Sequence, residues 1–199
     1  MTDRGVIYLN MALKCSVRLA VSVRSLRKFW GGPVTIFGDE TARAVNEQIA
    51  QQADAVVMPF EPIKMRRHSA YTSKPLLPSL SPYRLTLQMD ADTMFFGKFD
   101  ELWPADEEET VPTQFSDWVS TGNRIRGRTN KWRKCCQELV EAHQSQRRPA
   151  INTGVIAYGC RSALAREGWL ATTMLNPGVF IADETAFDLC WPLFPKVRV

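Results

Sequence analysis

Histidine is scarce in this sequence, and the motifs that mark several large enzyme classes are missing. Only His68 and His143 occur, far apart in the chain, so a histidine-rich metal site or a Ser-His-Asp triad has little material. The chain also lacks a GxxxxGKS/T or GxGxxG motif. These absences make a triad hydrolase, a P-loop enzyme and a dinucleotide-dependent enzyme poor candidates.

Long apolar runs are absent too, and the cysteines follow no regular pattern. No segment approaches the roughly 18 consecutive apolar residues of a membrane helix, and the N-terminus leads into a strand-like segment instead of a signal-peptide core. Five cysteines, an odd number without a CxxC spacing, make a poor framework for disulfides or zinc. We expect a soluble, cytoplasmic protein without a membrane span, whose thiols are reduced and mostly buried.

The length and charge of the chain favour one domain with an anionic ligand. A chain of 199 residues can form one sizeable hydrophobic core but is short for two. The net charge of +4 suits a nucleotide, yet it is too small to indicate nucleic acid by itself. We therefore expect a single domain over residues 1–199 and no nucleic-acid partner.

Strand and helix patterns alternate along the chain. Residues 6–9 and 34–37 are short apolar runs typical of strands, and Leu19, Val23 and Leu26 between them share one helical face. Further strands are predicted over 55–58, 83–89, 111–115 and 151–158, and further helices over 42–53, 74–80, 131–143, 162–174 and 183–189. Such alternation predicts an α/β fold with a mostly parallel sheet that helices cover on both faces.

An acidic pair, Asp90 and Asp92, directly follows the apolar strand predicted over 83–89. Ligands of open α/β sheets collect at the carboxyl ends of strands, and two carboxylates there can bind one Mg²⁺ or Mn²⁺ while leaving positions for diphosphate oxygens. The alternative is a pair that only caps a turn, but unpaired charge inside so apolar a stretch would be costly. The sequence therefore predicts a divalent metal ion at these two residues.

The chain resembles the GT-A nucleotide-diphospho-sugar glycosyltransferases, especially the glycogenin-like members and small bacterial or viral relatives. The matching segments are residues 6–26, Thr72-Ser73-Lys74-Pro75, the strand that runs into Asp90-Ala91-Asp92, and Ile151-Asn152-Thr153-Gly154-Val155. The resemblance implies a single GT-A, Rossmann-like domain with a mixed, mostly parallel sheet. It also implies metal-dependent transfer of a hexose from a nucleotide-sugar, preferably UDP-linked, to a hydroxyl acceptor such as a carbohydrate.

The resemblance further implies which residues bind the nucleotide. They are Tyr8, Leu9, Asn10, Lys74, Asp90 and Ala91. The first three would line the base and ribose pocket, the lysine would face the diphosphate or ribose, and the last two would contact the nucleotide beside the metal. An ordinary strand aromatic is the alternative for Tyr8, and a solvated surface lysine is the alternative for Lys74.

A second group of residues is implied for the donor sugar. In Asn152-Thr153-Gly154 the asparagine would hydrogen-bond the sugar and the glycine would permit close approach of the backbone. A polar strand entry is the alternative for this segment. Asp183 and Glu184 resemble a later acidic element near the reacting carbon, although Asp183 could equally cap a helix.

The stereochemical course and the catalytic base stay open. If transfer inverts the sugar carbon, a carboxylate must take the acceptor proton, and Asp183, Glu184 and Asp117 are the candidates. Relatives often have glutamine at the position of Glu184, and often a further histidine ligand near the C-terminus, where this chain has none. Either water and phosphate complete the metal site, or the chain is a fragment.

Two other functions also stay open. The run from Asp90 to Thr93 resembles the nucleophile loop of haloacid-dehalogenase-like phosphatases, although that loop normally follows the first strand and here a β-α-β pattern precedes it. A noncatalytic nucleotide- or RNA-binding module is the other alternative. Its basic surface would be Lys64, Arg66, Arg67, His68, Arg124, Arg126, Arg128, Lys131, Arg133 and Lys134. Trp118 is either an acceptor-sugar platform or a core residue.

Overall fold

The computed structural model describes residues 2–11, 13–114, 130–145 and 151–198. Its strands are β1 Thr2–Asn10, β2 Val34–Gly38, β3 Val56–Pro59, β4 Tyr83–Met89, β5 Thr110–Gln114 and β6 Ile151–Gly159. They form a six-stranded sheet in the order β3-β2-β1-β4-β6-β5. The first four strands are parallel, whereas β6 runs antiparallel to both of its neighbours. The expected mixed, mostly parallel sheet is confirmed.

Seven α-helices flank this sheet within the described residues. They are α1 Ser16–Leu26, α2 Arg43–Ala53, α3 Ser69–Ser73, α4 Leu77–Leu80, α5 Arg133–Ser145, α6 Trp169–Leu175 and α7 Ala182–Cys190. None of them, in these parts of the chain, has the length and apolar character needed to cross a membrane.

A nearly continuous helical segment over 69–80 begins earlier than the predicted start at residue 74. A 3-10 turn, Lys74–Leu76, joins α3 to α4. The early start comes from Ser69, whose Oγ accepts from the Met65 backbone N–H at 3.0 Å and so closes the turn before α3. Proline does not end the segment, because Pro75 and Pro78 occupy first-turn positions, where a missing N–H costs little.

Apolar side chains pack against both faces of the sheet. Successive side chains of a strand point to opposite faces, so Val6 and Tyr8 join the cluster beneath α1 and α2, whereas Ile7 joins the cluster beneath α6 and α7. The predicted buried face of α1 is confirmed, since Leu19 and Val23 are both fully buried. Both faces of the central strands are therefore covered, which leaves the strand ends for ligands.

All five cysteines are free thiols. Only Cys190 is buried, Cys135 is exposed, and the other three are half-buried. The expectation of mostly buried thiols is therefore wrong. For Cys135 the reason is its position at the start of α5, on a turn that faces solvent.

Candidate active site

Three charged side chains meet at the carboxyl end of β4. Lys74 Nζ lies 2.5 Å from Asp90 Oδ1 and 3.5 Å from Asp183 Oδ2. The side chains of Lys74 and Asp183 are 8% and 2% exposed, whereas that of Asp90 is 42% exposed. The lysine therefore links a buried carboxylate to one that a ligand can reach.

The surrounding elements fix the buried carboxylate of Asp183. Thr153 Oγ1 donates to Asp183 Oδ2 at 2.8 Å, and the indole N–H of Trp169 donates to the Asp183 backbone carbonyl at 2.8 Å. Asp183 lies in the first turn of α7, where the helix dipole favours negative charge, but Ile181 occupies the N-cap position. The alternative that Asp183 is the N-cap is therefore not what the structure shows.

The pKa values in this cluster reflect burial and mutual charge. Burial lowers the pKa of Lys74, but the negative charges of Asp90 and Asp183 outweigh it, and the pKa lies above its usual value. Burial raises the pKa of Asp183, and although the Lys74 ammonium opposes this rise, the charge of Asp90 adds to it. With Glu184 also acting on Lys74, carboxylates outnumber the lysine, so the cluster favours a further cation.

Asp92 lies on the turn after β4 and is open to solvent. Its side chain is 60% exposed, and Arg18 Nη1 lies 3.5 Å from its Oδ2. The turn is closed by the Thr93 backbone N–H, which donates to the Asp90 carbonyl at 3.1 Å. Two accessible carboxylates, one residue apart, therefore extend from the end of β4.

The two carboxylates fit a divalent ion that is bound together with a phosphate-bearing ligand. Mg²⁺ commonly takes one or two carboxylates and fills its other positions with water and substrate phosphates. Across the described ranges, no group of three or more His, Cys, Asp or Glu side chains could hold a metal. Asp90 and Asp92 could thus supply only part of a ligand set for Mg²⁺ or Mn²⁺, which a diphosphate would complete.

The segment Asn152-Thr153-Gly154 faces Asp90 from the start of β6. Asn152 Oδ1 accepts from the Gly154 backbone N–H at 2.7 Å, and the Asp90 backbone N–H donates to the Gly154 carbonyl at 2.7 Å. A Cβ at position 154 would lie 2.8 Å from Asn152 Oδ1 and 3.2 Å from Asp90 Oδ2. A side chain at position 154 would therefore crowd the Asn152 amide and the Asp90 carboxylate.

The end of β1 does not reach this site with its polar side chains. Tyr8 and Asn10 are fully buried: Ser22 Oγ donates to the Tyr8 hydroxyl at 3.1 Å, and Asn10 Nδ2 donates to Asn46 Oδ1 at 2.6 Å. Burial raises the pKa of the Tyr8 hydroxyl. These contacts favour the strand-aromatic alternative for Tyr8, and the base-pocket role of Tyr8 and Asn10 stays a prediction. Leu9 is half-buried and packs against the opposite cluster.

The remaining predicted residues are placed in three different ways. Glu184 is 9% exposed and follows Asp183 in the first turn of α7. Ala91 is half-buried and packs against the cluster beneath α1. Five predicted residues lie outside the described part of the chain, and their roles stay predictions: Asp117, Trp118, Arg124, Arg126 and Arg128.

Three aromatic rings beside the carboxylates were not assigned to the site from the sequence. The ring of Tyr71 lies 5.9 Å from that of His68 and 5.4 Å from that of Phe180, which is 60% exposed. Burial raises the pKa of the Tyr71 hydroxyl, and the negative charges of Asp183 and Asp90 raise it further. A helical spacing of three, from Tyr71 to Lys74, is the sequence signal that could have found Tyr71. Phe180 carries no such signal, because it precedes Ile181, the left-handed N-cap residue of α7. Such rings offer a surface to the C–H face of a sugar.

Part of the predicted basic surface lines a cavity near these rings. Arg66 and Arg67, together with Met65 and Gly178, border a cavity of about 400 Å³. The Gly178 backbone N–H donates to Thr72 Oγ1 at 3.0 Å, so this loop is tied to α3. The two guanidinium groups could attract an anionic part of a ligand.

No family model and no curated protein sequence matches the chain. Solved structures of glycosyltransferases are similar to it in fold. The bifunctional glycosyltransferase WbbM, in its apo structure, has a TM-score of 0.66 at 11% identity, over 98% of this chain and 38% of that chain. GlyE from Streptococcus pneumoniae TIGR4 has a TM-score of 0.60 at 13% identity, over 99% of this chain and 45% of that chain.

The galactosyltransferase LgtC, solved in complex with donor and acceptor sugar analogs, has a TM-score of 0.65 at 11% identity. That alignment covers 97% of this chain and 72% of LgtC. The chain thus spans less than half the length of WbbM and GlyE. At these identities the similarity shows a shared fold, and the expected GT-A, Rossmann-like α/β fold is confirmed.

Proposed function

We propose that this chain is a metal-dependent glycosyltransferase, a single domain that moves a hexose from a nucleotide-sugar, preferably UDP-linked, to a hydroxyl acceptor such as a carbohydrate. The observation that carries the proposal is the cluster at the end of β4. There, the accessible Asp90 is tied through the buried Lys74 to Asp183 and faces Gly154. The fold shared with known glycosyltransferases supports the same reading.

Asp90 and Asp92 would hold Mn²⁺ or Mg²⁺ together with the donor diphosphate. When bound, the ion neutralises charge on the departing nucleoside diphosphate. The Lys74 ammonium stays charged because two carboxylates raise its pKa, and at 2.5 Å from Asp90 it brings a second positive charge towards the diphosphate. Ala91 would contact the nucleotide between the two carboxylates. This charge arrangement stabilises the leaving group before and during bond cleavage.

The start of β6 and the first turn of α7 would bind the donor sugar. Gly154 leaves room for a sugar beside Asp90, and Asn152 would contact its hydroxyl groups. Thr153 would act indirectly, because its hydroxyl donates a hydrogen bond to the Asp183 carboxylate and so orients it. If the reaction inverts the sugar carbon, Asp183 and Glu184 are the described candidates for the base that accepts the acceptor proton, and Asp117 is the third candidate.

A cytoplasmic location belongs to the same proposal. All five thiols are free. Thiols persist where glutathione and thioredoxin keep proteins reduced. A reducing compartment therefore suits this chain.

The direct test is consumption of a sugar-nucleotide panel in the presence of Mn²⁺, followed by chromatography of the released nucleotide. The proposal expects UDP release from at least one UDP-hexose, stopped by EDTA and by Asp92→Ala. A parallel assay with p-nitrophenyl phosphate tests the phosphatase alternative. Phosphate release from that ester, without any nucleotide release from the panel, would overturn the transferase proposal in favour of the phosphatase alternative.

A further inference from the structure

The solvent-facing side of α1 is unusually apolar. Leu13, Val17 and Val21 are 62%, 78% and 46% exposed. They are spaced four residues apart, so they form one stripe along the helix and the turn before it. A helix of this kind normally turns its polar face to water and its apolar face to the core. Here the core-facing stripe of Leu19, Val23 and their neighbours exists in addition to the exposed one.

The loop after Asp92 adds to this apolar stripe. Met94 is 49% exposed and Phe96 is 85% exposed. The loop lies along α1, because the Phe95 backbone N–H donates to Ser25 Oγ at 3.0 Å and Arg18 contacts Asp92. We call the exposed side of α1 together with residues 94–98 the α1 surface. A contiguous apolar area on the solvent-facing side of a helix marks an interaction site.

The charges of the α1 surface all have one sign. Residues 11–38 contain no aspartate or glutamate. Their exposed basic residues, spread along the helix among the aliphatic side chains, are Lys14, Arg18, Arg24 and Lys28, and Lys98 lies in the neighbouring loop. Cations interleaved with apolar side chains match a partner that offers negative charge and hydrocarbon together.

We propose that the α1 surface docks the protein on a membrane that is rich in anionic phospholipid. Basic side chains of an interfacial helix contact lipid phosphates while apolar ones enter the boundary between headgroups and acyl chains. Val17, Val21 and Phe96 supply the apolar part, and Arg24 and Lys28 supply the charge. Arg18 of this surface forms an ion pair with Asp92 at 3.5 Å. Docking would therefore bring the end of β4 close to the bilayer.

The test is co-sedimentation with vesicles of phosphatidylcholine, made with or without phosphatidylglycerol. We expect binding only to the vesicles with phosphatidylglycerol, and weaker binding at high salt. The double variant Arg24→Gln/Lys28→Gln should bind roughly 30-fold more weakly, since each cation near an anionic surface contributes a factor of about five and the two factors multiply. Phe96→Ser should weaken binding about tenfold through lost apolar contact.

Matched controls carry the same chemical changes elsewhere on the protein. Lys131→Gln/Lys134→Gln removes two exposed cations around the start of α5, which packs against the other face of the sheet, and Leu193→Ser removes an apolar side chain that is 62% exposed. Both controls should sediment like the wild type. Circular dichroism melts of every variant show whether it is folded, so a lost interaction is not confused with a lost fold.

Three results would overturn the docking proposal. They are no sedimentation with phosphatidylglycerol vesicles, equal sedimentation with neutral vesicles, and a control double variant that loses as much binding as Arg24→Gln/Lys28→Gln. Sedimentation velocity is measured alongside. A wild-type dimer that Phe96→Ser dissociates, with no vesicle binding, would assign the surface to a second copy of the chain instead. Sugar transfer is not the readout, so the proposal stands or falls independently of the proposed function.

Discussion

The ammonium of Lys74 lies 2.5 Å from Asp90 Oδ1, and the same atom lies 3.5 Å from Asp183 Oδ2. The Asp183 carboxylate is almost fully buried, and Lys74 supplies the neighbouring positive charge. A buried carboxylate that loses such a partner retains the full cost of its desolvation. Lys74 is therefore needed both for stability and for the charge of the site.

Replacing Lys74 by methionine should strongly destabilise the protein. The change leaves Asp183 buried without its cation, and breaking a buried pair in this way typically costs about 3–5 kcal/mol. Urea unfolding, followed by circular dichroism, measures the free energy of unfolding. Lys64→Met is the control, because Lys64 is exposed and its loss should change that free energy by less than about 0.5 kcal/mol. Equal effects of the two variants would show that the Lys74 ion pairs contribute nothing.

Replacing Gly154 by alanine should weaken nucleotide-sugar binding. The new Cβ would meet Asn152 Oδ1 at 2.8 Å and Asp90 Oδ2 at 3.2 Å, so the Asn152 amide must move and the Asp90 carboxylate must give way slightly. Overpacking of this kind costs about 1–3 kcal/mol, which corresponds to a roughly tenfold or greater loss of affinity if it falls on the site. Calorimetric titration with UDP measures the affinity. Gly31→Ala, where a Cβ would meet nothing within 4 Å, should bind UDP normally.

Replacing Tyr8 by phenylalanine should affect stability and leave nucleotide affinity unchanged. The lost contact is the buried hydrogen bond with Ser22, which is worth about 1 kcal/mol. Ser22→Ala should cost a similar amount, because it breaks the same bond from the other side. A large fall in UDP affinity in Tyr8→Phe, with the free energy of unfolding unchanged, would instead support a role for Tyr8 in the base pocket.

Two cysteines should differ in reactivity towards iodoacetamide at pH 8. Burial raises the pKa of the Cys190 thiol to about 12, so at this pH the thiol is protonated and also shielded from the reagent. Cys135 is exposed and should be alkylated first. Mass spectrometry of tryptic peptides, before and after unfolding in urea, distinguishes the two sites. Rapid alkylation of Cys190 in the folded protein would show that α7 opens readily.

The central strands and the face of α1 could be predicted because their signals are local. Residues 83–89 alternate apolar with polar side chains, as a strand does, and Leu19, Val23 and Leu26 repeat at helical spacing, so neither prediction required knowledge of distant contacts. The start of the segment over 69–80 was missed for a physical reason. It depends on one hydrogen bond, which the Met65 backbone N–H donates to Ser69 Oγ, and on prolines that occupy first-turn positions.

The site could be predicted only in part. The rule that ligands collect at the carboxyl ends of strands places Asp90, but the contact of Lys74 with Asp183 joins segments that are distant in sequence and only meet in the folded protein. Tyr8 shows why burial is harder to predict than strand position. Tyr8 and Asn10 are two residues apart on β1 and so point to one face, and that face is covered by α1 and α2.

Calorimetric titration of UDP, with Mn²⁺ and then with EDTA, tests the central claim most directly. It is run on the wild type, on Asp92→Ala, and on Asp100→Ala, which removes an exposed carboxylate outside the site. The account predicts manganese-dependent binding of UDP that is lost in Asp92→Ala and kept in Asp100→Ala. Binding that is equal with and without Mn²⁺, or unchanged in Asp92→Ala, would contradict a metal-assisted nucleotide site at the end of β4.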